Sequence, residues 1–382
     1  MNDADRTAAR LYTLSVRDFR NLERVELELP VTGMLLVGEN GQGKTNLLEA
    51  IYYLQLLRSM RGARDQDLVR FGAAGFHLAA GVASDRARDV SVGFERAGKR
   101  KRIRLDGVVV ERLGDAVGAL PAVMFSPSDV ELVASGPSAR RRYLDIMLAV
   151  ASRGYLRALQ RYRAALVRRN AALRDAARHR GGQASARVEV WDEPLAEHGA
   201  VLWAERASWV RDVAARFTEL CRAIGGDAVT VRYASALPDL PSNAERREAL
   251  LRAFDEQRAL DLRFGLTRTG PHRDDLLISL ESDGTARELR VFGSAGQQRT
   301  AAIALRLLEA ETLRDRRGGS PVFLLDDPFA ELDVPRTQRI VELLSADALG
   351  QTILAVPRES DIPGGMPRLE RHRIMAGVIS RG

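Results

Sequence analysis

Residues 14–19 (LSVRDF) and 25–29 (VELEL) alternate apolar with polar side chains, the period of half-buried strands, which predicts a small edge sheet. Residues 34–37 (MLLV) instead form a continuous apolar run ending in glycine, and from Thr45 the pattern changes to Leu47, Leu48, Ile51 and Leu54, a helical spacing. The octapeptide GENGQGKT (38–45) therefore joins a buried strand to a helix. Strand-like alternation returns over residues 76–110, where KRKRIR (99–104) precedes the hairpin signal Asp106-Gly107. From about residue 140 to 180, and again from 191 to 224, leucines recur at helical spacing among alanine and arginine, broken by RGGQ (180–183). An antiparallel helical pair projecting from the sheet domain is expected there. A strand at 229–233, a helix near 244–259 and a buried strand at 322–326 complete the pattern, and no fixed-period repeat is visible.

Composition narrows the class. The 382 residues, 45% of them hydrophobic, suffice for two or three domains, and no apolar run approaches the roughly 20 residues that cross a bilayer. The N-terminal stretch does not read as a secretory signal. Net charge is +7 with a pI near 9.9, which favours an anionic partner, nucleic acid or an anionic membrane surface, and composition alone does not separate the two. One cysteine, Cys221, excludes an internal disulfide framework, fits a cytoplasmic location and reads as a small buried hydrophobe.

Lysine is rare here: Lys44, Lys99 and Lys101 stand among an arginine majority. The spacing G-x-x-x-x-G-K-T between strand and helix is that of a phosphate-binding loop, in which Gly38, Glu39, Asn40, Gly41, Gln42 and Gly43 turn backbone N–H groups inward. Lys44 would place a compact charge on the β and γ phosphates of ATP where a planar guanidinium fits less well. Thr45 supplies a hydroxyl for Mg²⁺. The partner acid should end another buried strand, and VFLLDD (322–327) provides it: Asp326 as Mg²⁺ ligand and Asp327 to polarise an attacking water. Lys44, Asp326 and Asp327 are the expected catalytic set. About 280 residues separate the two motifs, so the nucleotide domain is split around an insertion. In GSAGQQRT (293–300), Ser294 and Gln297 have capping-box spacing; the same geometry suits an anion docking at the helix N-terminus, such as a second protomer's γ-phosphate.

These motifs together resemble the ABC/SMC-like ATPases: SAGQ (294–297) resembles the signature, LDD (325–327) the Walker B motif and AELD (330–333) the D-loop. Within that superfamily the chain resembles the RecF family over nearly its whole length. DFRN (18–21), FSPSD (125–129), RRRYLD (140–145), GPHRDD (270–275) and GQQRT (296–300) support the likeness. The resemblance implies an α/β fold, an ABC-type (SMC-like) P-loop ATPase head with an inserted helical arm domain. Its expected divisions are 1–120 and 263–382 for the head and 121–262 for the arm. It implies an ATP-dependent homodimer that binds DNA at single-strand gaps and duplex junctions, a weak DNA-dependent ATPase whose slow hydrolysis times release, and cooperation with RecR, RecO and RecA. Carried over by position, Arg20 and Asn21 would approach the nucleotide, Ser294, Gly296 and Gln297 the γ-phosphate across the dimer, and Asp333 would communicate between sites.

Departures from the ABC pattern are also visible. No glutamine follows Phe125, the strand at 351–356 leads into Pro357 without a switch histidine, and Ala295 replaces a glycine. These features and the long Lys44–Ser294 separation disfavour a transporter subunit, and no histidine or carboxylate cluster points to a nuclease. His272 reads as a structural or interdomain residue, as an imidazole working beside Asp274 and Asp275, or as a metal ligand, the last disfavoured because no second ligand has metal spacing. The arm arginines Arg157, Arg161, Arg163, Arg168, Arg169, Arg174 and Arg178 read either as a solvated face or as a DNA- or partner-facing one, and 99–104 is a second basic candidate.

Overall fold

The continuous apolar runs form the centre of a parallel sheet, as strands buried on both faces must. The computed structural model describes residues 9–178, 184–282, 284–330, 332–346, 350–366 and 369–382, so the expected break at 180–183 and Glu331 lie outside the described residues. In chain order the strands are β1 (Arg10–Phe19), β2 (Leu22–Glu28), β3 (Gly33–Val37), β4 (Gly75–Ala83), β5 (Asp89–Glu95), β6 (Arg100–Leu105), β7 (Val108–Val109), β8 (Ala122–Phe125), β9 (Val229–Ala234), β10 (Asp275–Ser282), β11 (Thr285–Glu288), β12 (Val322–Asp326), β13 (Thr352–Val356), β14 (Glu370–Met375) and β15 (Val378–Arg381). The central sheet has the order β15-β14-β3-β13-β12-β8, parallel from β14 to β8 with β15 antiparallel at the edge. Every residue of β8, β12 and β13 is buried.

A second, antiparallel sheet has the order β2-β1-β4-β5-β6-β7. The helix Lys44–Leu56 contacts β1 and β5 of this sheet as well as β8, β12 and β13 of the parallel one. That sandwich explains why the helix is buried on all sides, including Glu49 and Gln55. Phe19, Tyr53 and Phe76 meet edge-to-face, with Phe19–Phe76 centroids 5.3 Å apart, and fix the helix under the antiparallel sheet. The turn between β6 and β7 is Asp106-Gly107, both at positive φ, as the hairpin signal requires.

The chain separates into two compact units. The first comprises Met1–Val130, Ala223–Gly226 and Ala295–Gly382, and the second Glu131–Arg222 and Asp227–Ser294. Segment 263–294 thus belongs with the helical unit rather than with the head, because β10 pairs antiparallel with β9 and β11 in a three-stranded sheet.

Within the second unit the helices Arg153–Arg178 and Asp192–Gly225 run antiparallel: Tyr155 meets Arg206, Tyr162 faces Gly199, and Arg169 meets Asp192. A third helix, Asn243–Phe264, joins them, started by a Ser242–Glu245 capping box and ended by Gly265 at φ 66°. The expected antiparallel pair and the helix expected near 244–259 are thus present, and one expectation is corrected. Arg169 is no surface residue: it is fully buried, bonded to Asp192 (2.7 Å) and Asp261 (2.6 Å). Cys221 is buried, as expected, and burial pushes its thiol up to about 12. No described helix is long and apolar enough to cross a membrane.

The candidate nucleotide site at the ends of the parallel strands

Because β3, β13 and β12 are parallel neighbours, the loop that leaves β3 and the acids that end β12 emerge on the same sheet edge, separated only by β13. Ligands of open α/β sheets bind at such carboxyl ends. GENGQGKT leaves β3 as a loop, and the helix begins at Lys44. Gly41 and Gly43 have φ of 82° and 114°; a Cβ on Gly43 would lie 2.9 Å from the Asn21 amide, whereas Gly41 faces open space. The loop therefore keeps a bare, concave backbone surface where only glycine fits without strain.

Lys44 is 6% exposed, and its ammonium donates to the carbonyls of Gly38 and, at 2.9 Å, Glu39. Burial lowers its pKa, opposed by the charges of Asp326 and then Asp327. Thr45 hydrogen-bonds the Asp326 side chain, and Asp326 is held above the usual carboxylate range by burial despite Thr45, Arg61 and Lys44. Asp327 follows at φ 46°, its N–H donating to Ala355 O at 2.9 Å, which ties the strand end to β13. Lys44, Thr45, Asp326 and Asp327, all foreseen from sequence, thus converge. Among the described residues no group of three His, Cys, Asp or Glu side chains could hold a metal ion. The hydroxyl and carboxylate pair suits a hard cation that takes its remaining ligands from phosphate and water, as Mg²⁺ does.

The two residues of the β1–β2 turn divide. Asn21 reaches the loop, donating to Gln42 O (3.2 Å) and accepting from Asn46 (2.8 Å). The Arg20 guanidinium is held by buried Glu49 (3.1 Å), which Ser59 also bonds. Gln42 carries contacts that its place in the motif does not announce: its side chain accepts Ala376 N–H (2.6 Å) and its backbone accepts Gly377 N–H (2.9 Å) from the β14–β15 turn. Glu39 and Asn40 are exposed.

Ser294 is exposed and immediately precedes the helix Ala295–Arg317, on which Gly296 and Gln297 form the first turn. A Cβ on Gly296 would lie 2.6 Å from the Arg336 guanidinium, and Arg336 pairs with Asp333 at 3.4 Å. Arg336 therefore links the signature helix to the D-loop acid within the first unit. Sequence reading missed it, although its place three residues after Asp333 is the signal. FSPSD also has a positional role: Asp129 bonds Ser126 N–H and pairs with Arg306 of the signature helix at 2.7 Å.

Two other motif stretches build the second unit. Arg140 makes a bidentate pair with Asp275, and Arg141 donates to Asp274 O at 2.8 Å, so RRRYLD and GPHRDD are joined across 135 residues. His272 is structural: it bonds Tyr162 Oη at 2.6 Å and Thr267 O at 3.0 Å, and burial lowers its pKa to about 4. Its Nε2–H donates to the carbonyl, leaving neutral Nδ1 to accept from the tyrosine.

The RecF/RecN/SMC N-terminal domain family matches residues 10–361. The DNA replication and repair protein RecF of Chloroflexus aggregans is 36% identical over 97% of this chain and 100% of its own, and that of Anaeromyxobacter dehalogenans is 37% identical over 97% and 99%. A solved structure of the recombination mediator RecF with ATP, from the RecFOR pathway, superposes with a TM-score of 0.88 at 30% identity and covers all of both chains. The Smc head of Pyrococcus furiosus, at 16% identity and a TM-score of 0.55, shares the fold. With its phosphate loop, paired strand-end acids and signature helix on an SMC-like head, the chain belongs to the RecF family of DNA replication and repair proteins.

Proposed function

We propose that the chain is an ATP-gated DNA-binding dimer of recombinational repair and replication restart, working in the cytoplasm at single-strand gaps and duplex junctions. The observation that supports this most is the convergence of Lys44 and Thr45 with Asp326 and Asp327 at one sheet edge, with Ser294 and Gly296 at a separate helix N-terminus that suits a second copy's γ-phosphate. Lys44 leaves the Gly38 and Glu39 carbonyls for the β and γ phosphates, and Gly38, Asn40, Gly41, Gln42 and Gly43 offer N–H groups. Thr45 and Asp326 hold Mg²⁺, which when bound neutralises phosphate charge. Asp327 orients and polarises the attacking water.

Ser294, Gly296 and Gln297 contact the γ-phosphate of the partner's ATP, Asp333 with Arg336 links the two sites, and Arg20 and Asn21 support the nucleotide from the β1–β2 turn. Hydrolysis is weak, stimulated by DNA, and ends the bound state. RecR, RecO and RecA are the partners this reading carries over from the family. The test is binding to duplex, single-stranded and gapped DNA with ATP, ADP and no nucleotide. Tightest binding to gapped DNA with ATP is expected, and affinities indifferent to nucleotide would contradict gating.

A further inference from the structure

The solvent face of the antiparallel sheet carries an arrangement that folding alone disfavours. Reading across the strands at one level, Arg24 of β2 pairs with Arg17 of β1, Arg17 with His77 of β4, His77 with Gly93 of β5, and Gly93 with Arg102 of β6. Like charges placed directly opposite destabilise a sheet. Arg100 and Arg104 flank this row on β6. Arg17, Arg100, Arg102 and Arg104 are exposed, and among the described residues none has a carboxylate within ion-pair distance. Lys101, by contrast, points inward to Asp65 at 2.7 Å and the Tyr53 ring, so alternation divides 99–104 between core and surface.

Between Arg100, Arg102 and Arg104 the small residues Gly93 and Ser91 floor a hollow of about 340 Å³. An adjoining hollow of about 590 Å³ shares Ser91 and Arg104 but is bordered by Glu26, Glu28 and Asp89. Acids on this face are Glu26, Glu28 and Asp89, of which Glu26 lies 3.8 Å from Arg24, and Glu95 sits opposite Arg100. Burial lowers the His77 pKa, and Arg17 and Arg104 lower it further against the opposing charge of Glu26.

We infer that this face is a docking surface for the phosphate backbone of duplex DNA, with Arg17, Arg24, Arg100, Arg102 and Arg104 as its contacts; this rests on the DNA-binding reading above. Four inter-strand steps of about 4.8 Å make the row roughly 19 Å long. A duplex strand presents about six phosphates over that length at 3.4 Å each. Single-strand sites add exposed aromatic rings for base stacking. The rings bordering this hollow, Phe76 and Phe94, are only 4% and 7% exposed, which selects the duplex.

The test uses the full chain, R17Q/R102Q/R104Q, and a 30-base-pair duplex titrated across salt concentrations with ATP present. The triple variant should lower the slope of log affinity against log salt by about 2 to 3, and affinity near physiological salt by about 10- to 100-fold. ATP affinity and melting temperature should stay at or above wild type. An unchanged slope, with wild type binding duplex normally, overturns this inference and leaves the DNA-binding reading standing. Wild-type protein that binds no DNA in any nucleotide state overturns both. Lost binding to a polyglutamate probe with unchanged DNA binding would assign the face to an acidic protein partner and overturn the proposal.

Discussion

The buried arginines of the helical unit and the buried lysine of the phosphate loop are held differently. In the helical unit Arg169 and Arg206 are buried with their counter-ions supplied: Arg169 has Asp192 and Asp261, and Arg206 has Asp145 at 2.6 Å together with Tyr155 and the Pro271 carbonyl. At the phosphate loop Lys44 is buried against the neutral carbonyls of Gly38 and Glu39, and Asp326 and Asp327 act on it through space. The first arrangement draws its counter-ions from the fold itself. The second holds a desolvated charge in reserve for an anion, and its lowered pKa shows the cost of that reserve. A charge matched by the chain serves the fold, whereas one left for a ligand serves the site.

Breaking the matched arrangement should have the largest effect. Arg169→Met leaves buried Asp261 without its cation and Asp192 with Arg258 alone, and should cost about 3–5 kcal/mol in chemical denaturation, while the folded fraction still binds ATP. Acid should act nearly as strongly on the same unit. The folded-state pKa of His272, about 4, lies below the ordinary 6.5, so the unfolded chain binds the extra proton; stability is intact above about pH 6.5 and falls by up to about 3 kcal/mol as pH drops through 4. Denaturation midpoints of His272→Gln should be flatter across that window.

Lys44→Met should separate the two kinds of charge most clearly. ATP binding by calorimetry should weaken by roughly 10- to 100-fold, from about 1.5–3 kcal/mol for a charged hydrogen bond, yet the melting temperature should not fall. A loss of stability comparable to Arg169→Met would erase the distinction. Gly43→Ala should show the smallest change, about 1–2 kcal/mol, because alanine is strained at φ 114° and its Cβ would press on Asn21. That cost should appear in both melting temperature and ATP affinity.

The nucleotide site was largely legible because its parts are local: a strand, a glycine loop and a helix are contiguous, and a buried strand ending in two acids is readable from VFLLDD. What brings them together, the interposed β13, pairs β3 with β12 across hundreds of residues and leaves no local trace. The helical unit was less legible. Period alone showed helices, but not that Arg169 faces inward while Arg157, Arg161, Arg168 and Arg174 face out, since its partners Asp192 and Asp261 lie on two other helices. Arg163 is outward too but pairs with Asp145. Strand β10 escaped the expected head boundary for the same reason, its partner β9 lying before an intervening helix.

The proposed nucleotide site is completed by two copies of the chain. Analytical ultracentrifugation of wild type and Ser294→Arg, each with saturating ATP and Mg²⁺ and with ATP binding measured in parallel, tests it most directly. The expected result is an ATP-dependent dimer for wild type and a monomer that still binds ATP for the variant. A variant that dimerises with ATP as wild type does would contradict the shared site.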